Sequence, residues 1–146
     1  MLERLEQELM LIGRRHLLVP KDRDAGRLDR SAYILLNRID ADGPMTIREL
    51  TEAFGLDTST INRQTAALLR CGLVERIPDY DCGPARKLRI TAEGARRLAA
   101  DRDCYRDRIG TVLSGWSEQD IKELTEMLTR LNRTVEEYEG RPWPRR

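Results

Sequence analysis

Ser59, Asn62, Arg63 and Ala66 stand at positions i, i+3, i+4 and i+7. On a helix that spacing gathers them on one face. Two are small, and two carry side chains shaped for base edges. In the DNA major groove an arginine can make a pair of hydrogen bonds to guanine, and an asparagine a pair to adenine. The same four residues would also serve as an ordinary solvated face. Their neighbours decide between the two. Ile61, Thr65, Leu68 and Leu69 fall at i, i+4, i+7 and i+8, a second stripe fit for burial. One helix from about Thr58 to Cys71, stopped by Gly72, therefore has a core side and a polar side.

Several elements must hold that polar side in place. Thr46 and Glu49 have the spacing of a capping box, which opens a short helix. Ile47, Leu50 and Phe54 fall near one face of it, and Gly55 tolerates the positive φ that ends it. Leu56 is expected to point back to the core, with Asp57 or Thr58 as the next N-cap. After the second helix, LVERI predicts a strand and KLRIT a return strand. Pro78, Asp79, Asp81, Gly83 and Pro84 punctuate the loop between them. It is too long for a two-residue hairpin turn and should project as a wing. Arg86 and Lys87, near its far end, are placed for phosphate or a narrow minor groove. Thr91 caps a following helix with Glu93 in its first turn. Helix, tight break, helix, strand, loop and strand suit a winged helix-turn-helix: mainly α, with a small β-wing.

The segments TIRELTEAFGLDTSTINRQTAALLRCGLVERIPD and LRITAEG resemble the multiple antibiotic resistance regulator (MarR) family. The resemblance extends over the flanking helices and so spans nearly the whole chain. It implies a homodimeric winged-helix transcription regulator, commonly a repressor, that many members release from DNA on binding a small, often aromatic, effector. By the same resemblance Ser59, Thr60, Asn62 and Arg63 map to the start of the recognition helix; Thr58, at the helix start, joins them as an expected DNA contact, and the partner is double-stranded DNA with a pseudo-palindromic operator. The family wing usually carries Asp-x-Arg. Here Asp81 and Arg86 are separated by Cys82, Gly83, Pro84 and Ala85, so Arg86 would work from a reshaped loop.

Both ends of the chain carry an apolar seam. Leu2, Leu5, Leu9, Ile12, His16 and Val19 advance by threes and fours, and so do Ile121, Leu124, Leu128, Leu131, Val135 and Tyr138. Ser117 with Asp120 opens the second of these helices, and Gly140 with Pro142 closes it. Such seams can pack on the chain's own core or on a second copy; a symmetric dimer is the preferred reading. We therefore expect one chain over residues 1–146, with a winged helix-turn-helix over 28–98. Dimerisation helices are expected over 1–20 and 99–140, centred on Leu5, Leu9, Ile12, Leu124, Leu128, Leu131 and Val135. Two more helices are expected. One runs from Leu28 to Ile39, burying Ala32, Leu35, Leu36 and Ile39, and the other from Ala92 towards Leu113. The last residues, RPWPRR, are expected to fray, with Trp143 loosely docked or exposed.

Composition bounds the rest. Hydrophobic residues make up 40% of the 146, enough for a core, and the net charge is only +1. Charge alone therefore argues weakly for a polyanion partner, and the basic groups must act locally. No run approaches the roughly 20 apolar residues of a membrane span, and the N-terminus lacks a signal-peptide pattern, so a cytoplasmic place is expected. Three scattered cysteines suggest neither a disulfide framework nor a metal site; Cys71 and Cys104 read as small buried residues and Cys82 as the exposed one. His16 reads as a packed imidazole, a pH-sensitive group or a ligand contact. Tyr33 and Trp116 are candidate liners, with His16, of a pocket for an aromatic effector. With a single histidine, no Gly-rich phosphate loop, no HExxH and no GxSxG, neither an enzyme nor a cofactor is expected. The rival reading is a winged helix that binds protein rather than DNA, or an anti-repressor.

Overall fold

The computed structural model describes residues 1–14, 28–80, 83 and 86–145. Its elements, in order, are α1 (Leu2–Arg14), α2 (Arg30–Asp42), α3 (Ile47–Phe54), α4 (Thr58–Arg70), β1 (Val74–Pro78), β2 (Arg86–Ile90), α5 (Ala92–Val112) and α6 (Glu118–Glu139). His16 and Val19 of the first seam, and Asp81 and Cys82 of the wing loop, lie outside the described residues. Mainly helical with one small antiparallel sheet, this is the winged helix-turn-helix with flanking helices that the residue patterns imply.

The helix ends are set by local chemistry. Asp29 caps α2 through a bond from the Ala32 amide (2.8 Å), so α2 begins two residues later than Leu28. Leu28 instead gives its amide to the buried carboxylate of Asp101 (3.0 Å). Thr46 and Glu49 form a reciprocal capping box on α3, and Ser117 and Asp120 form one on α6. Thr91 caps α5 through a bond from the Gly94 amide (3.0 Å), and its hydroxyl donates to the Gly72 carbonyl (2.6 Å). Gly94 is required there by space: a Cβ would run into the Leu73 carbonyl, because the first turn of α5 passes the backbone of Leu73 at contact distance.

The core runs from Leu28 to Leu98. Leu35, Leu36 and Ile39 of α2 meet Leu50 of α3, Ile61 and Leu68 of α4, Leu73, Val74 and Leu88 of the sheet region, and Leu98 of α5. Met45 adds a single antiparallel β-bridge at the edge of the two-stranded sheet. It exchanges both backbone hydrogen bonds with Leu88, at 3.1 and 2.7 Å, and so pins the wing to the link between α2 and α3. Leu56 is the exception to the expected core: it is 44% exposed, because the turn after Gly55 carries it outward. Cys71 is also exposed rather than buried, since it is the C-cap residue of α4, where the chain leaves the helix. Cys104 is half-buried.

α5 has two halves. The first is fastened to the core by Leu98, by Asp101, and by Arg102, which donates to Asn37 Oδ1 (2.7 Å) and Asp40 Oδ2 (2.9 Å). Tyr105 is buried edge-on to Tyr33, ring centroids 4.4 Å apart. Beyond it, Ile109 and Val112 are exposed, and α5 projects as an arm. α1 and α6 contain no buried residue. Leu5, Leu9, Ile12, Leu128, Leu131 and Val135 are exposed, and Leu124 is half-buried. A single chain thus leaves both seams open. No helix among the described residues is long and apolar enough to cross a membrane. Residues 141–145 are not frayed: Trp143 is half-buried against Phe54, because two flanking prolines and α6's glycine stop direct it there.

Candidate nucleic-acid interface

α4 turns one face to the core and the other to solvent. Ile61, Thr65 and Leu68 are buried and Leu69 is half-buried. Thr65 can sit in this stripe because its hydroxyl donates to the Ile61 carbonyl at 2.8 Å. Thr58, Ser59, Asn62 and Arg63 are exposed, while Thr60 and Ala66 are half-buried at the edges of the face. Neither Asn62 nor Arg63 makes a side-chain hydrogen bond or ion pair among the described residues. Both side chains are therefore free to meet a partner without first giving one up.

The start of α4 is open. N-cap Asp57 makes no side-chain cap bond; only its carbonyl is used, by the amides of Thr60 (3.0 Å) and Ile61 (3.1 Å). First-turn amides with no side-chain acceptor, at the positive end of the helix dipole, favour an anion such as a phosphate. α3 packs on α4 through Leu50, and Gly55, at φ 59°, makes the tight turn between them.

The wing pairs β1 with β2 in the register Val74–Ile90, Arg76–Leu88 and Pro78–Arg86. Its basic residues divide into two groups. Arg89 is tied across the ladder to Glu75 at 2.6 Å, and Lys87 to Asp79 at 3.5 Å, with the Asp79 side chain only 4% exposed. Arg86 and Arg76 are exposed and have no ion pair among the described residues. Of the two wing cations expected to reach DNA, the geometry leaves Arg86 outward and draws Lys87 in. Arg76, on the same face of the ladder, is an available cation that sequence reading passed over. Its strand assignment was legible, but its lack of a partner was not.

The candidate effector residues do not converge. Tyr33 is in edge contact with Tyr105, and Trp116 lies exposed at the α5–α6 turn. His16 lies outside the described residues. A cleft of about 520 Å³ opens elsewhere, between α3, the wing and the segment after α6, with Arg38, Glu49, Glu52, Lys87 and Arg141 in its wall.

A family model described as MarR family matches residues 28–81. An uncharacterized HTH-type transcriptional regulator, YxaD of Bacillus subtilis (strain 168), is 36% identical over 132 residues, spanning 90% of this chain and 92% of the relative. Among solved structures, a MarR family protein from Bacillus stearothermophilus superposes with a TM-score of 0.75 at 21% identity, over 92% of this chain and 94% of its own. A Listeria monocytogenes protein assigned to the same family, solved in complex with a 26mer DNA, gives 0.61 at 19% identity, over 74% and 72% of the two chains.

Proposed function

This chain belongs to the MarR family of HTH-type transcription regulators, and we propose that it is a dimeric, sequence-specific repressor released from its operator by a small ligand. The observation that carries the reading is the outer face of α4. Ser59, Asn62 and Arg63 are exposed there, the two long side chains are unpaired among the described residues, and the helix start beside them is uncapped by side chain. That combination is suited to base edges flanked by phosphates. The open seams on α1 and α6 support a second copy as the partner that covers them. Two copies would present two recognition helices to a pseudo-palindromic site, about 34 Å apart along one DNA face. The DNA-bound relative lends the same support by analogy. A small aromatic effector rests on the family likeness, with Trp116 the more accessible liner; Tyr33 would have to leave Tyr105 to contribute. Its work would lie in the cytoplasm.

Arg63→Ala tests the reading. The substitution lies away from the buried stripe, so fold and assembly should be kept. Specific operator affinity should fall by roughly 1–3 kcal/mol per half-site, and affinity for random duplex by much less, at one fixed salt concentration. An equal fall for both duplexes would make Arg63 a phosphate clamp and move base reading to Ser59, Asn62 or Ala66. No fall in either would favour the protein-binding alternative.

A further inference from the structure

Residues 141–145 return from the end of α6 to the helix-turn-helix and make a set of contacts that DNA reading does not require. Gly140 ends α6 in the left-handed region (φ 66°) and reverses the chain. The Arg141 guanidinium then lies over Gly55, so closely that a Cβ on that glycine would run into it. The Pro142 carbonyl accepts from Arg38 Nη1 (3.1 Å). The Trp143 ring stands edge-on to Phe54, centroids 5.7 Å apart at 77°, and the Arg38 guanidinium carbon sits 5.1 Å from the same ring. Arg38 is itself held by Asp42 at 2.6 Å. The Trp143 amide donates to Glu136 Oε2 (3.2 Å), and Arg145 grips the same carboxylate with both guanidinium arms, one at 2.8 Å. Pro142 and Pro144 limit the backbone freedom this segment loses on docking.

The place of these contacts matters. Phe54 is the last residue of α3, Gly55 is the turn, and Asp57 caps α4. α5 fastens the same body to the arms at a second place, through Asp101, Arg102 and Tyr105. A body held at one place can swing about it, whereas a body held at two cannot without breaking contacts. We propose that residues 141–145 are a strap that locks the helix-turn-helix to the far end of α6 and so fixes the stance of the recognition helix relative to the arms. Its use for half-site spacing rests on the DNA-reading function proposed above; the locking itself does not.

The test therefore measures stance first, without DNA. Spin labels at Ser59→Cys on α4 and Glu126→Cys on α6, in a chain with Cys71→Ser, Cys82→Ser and Cys104→Ser, report the distance between the two elements. Labelled chains are diluted in unlabelled chain. The expected result is one narrow distance distribution, broadened by Trp143→Ala and kept narrow by Trp143→Phe, which retains an edge contact and a π face for Arg38. Equal widths in all three overturn the strap. Should Trp143→Ala unfold, Glu136→Gln replaces it: the distribution should again broaden, and an unchanged width overturns the proposal. The second arm uses duplexes selected from a random pool, rebuilt with their half-sites one and two base pairs further apart. Trp143→Ala should reduce the preference for the natural separation by about tenfold, the scale of the aromatic and cation–π contacts removed. A wild-type chain that selects no duplex refutes the proposed function and leaves the label distances to judge the strap.

Discussion

Arg86 and Lys87 are adjacent, equally charged and differently employed. Lys87 is ion-paired with an Asp79 carboxylate that is almost fully buried, whereas Arg86 is exposed at the strand end. Arg86→Ala should weaken binding to every duplex and reduce the salt slope by about one ion, as loss of a phosphate or groove contact does. Lys87→Ala should instead lower the thermal midpoint, because it removes the ion pair that Lys87 makes with a buried carboxylate. Affinities measured at several salt concentrations, with melting curves for both variants, would check the division. A changed salt slope in Lys87→Ala with an unchanged melt would reverse the two roles. Sequence reading found both charges because strand alternation and loop punctuation are local. It missed the difference between them because the burial of Asp79 depends on how the ladder folds over the core. The polar face of α4 was legible for the opposite reason: a helical period fixes which residues share a side before any packing is known.

At the level of elements, the capping boxes of Thr46–Glu49 and Ser117–Asp120 needed only four residues each to be read, and they stand as expected. The β-bridge at Met45 and the docking of Trp143 were not legible. Each pairs residues far apart in the chain: Met45 with Leu88, and Arg38 with Pro142. A signal did exist in RPWPRR, since a tryptophan between two prolines is a stiff apolar group and not the composition of a fraying end. The strap also carries a pH dependence of definite sign. The Arg145 bonds, aided by the Trp143 amide and by Arg133, hold the Glu136 carboxyl down at about 2 against 4.5 ordinarily. A depressed carboxyl contributes to docking above the ordinary value and loses that contribution as pH falls from 4.5 towards 2. In a Trp116→Phe chain, Trp143 emission should therefore stay constant from about pH 8 to 5 and change only in acid. A transition centred near neutrality would mean that another group controls the strap.

At the scale of the molecule, two organisations coexist. One is a closed core from Leu28 to Leu98, and the other is a pair of end helices with no fully buried residue in a single chain, together with the outer half of α5. Leu128→Asp together with Leu131→Asp should convert the assembly to monomers or leave α6 without a stable place. Light scattering at tens of micromolar would show it, and a wild-type chain that is monomeric there would remove the second copy from the reading. The open seams have a further consequence, in the arithmetic of dosage. Where free single chains predominate, the population of pairs grows as the square of the number of chains present. Doubling the copies of this protein in a cell would then raise operator occupancy about fourfold in the unsaturated range. Control of its targets would respond more steeply to expression than it would for a regulator that bound as a single chain.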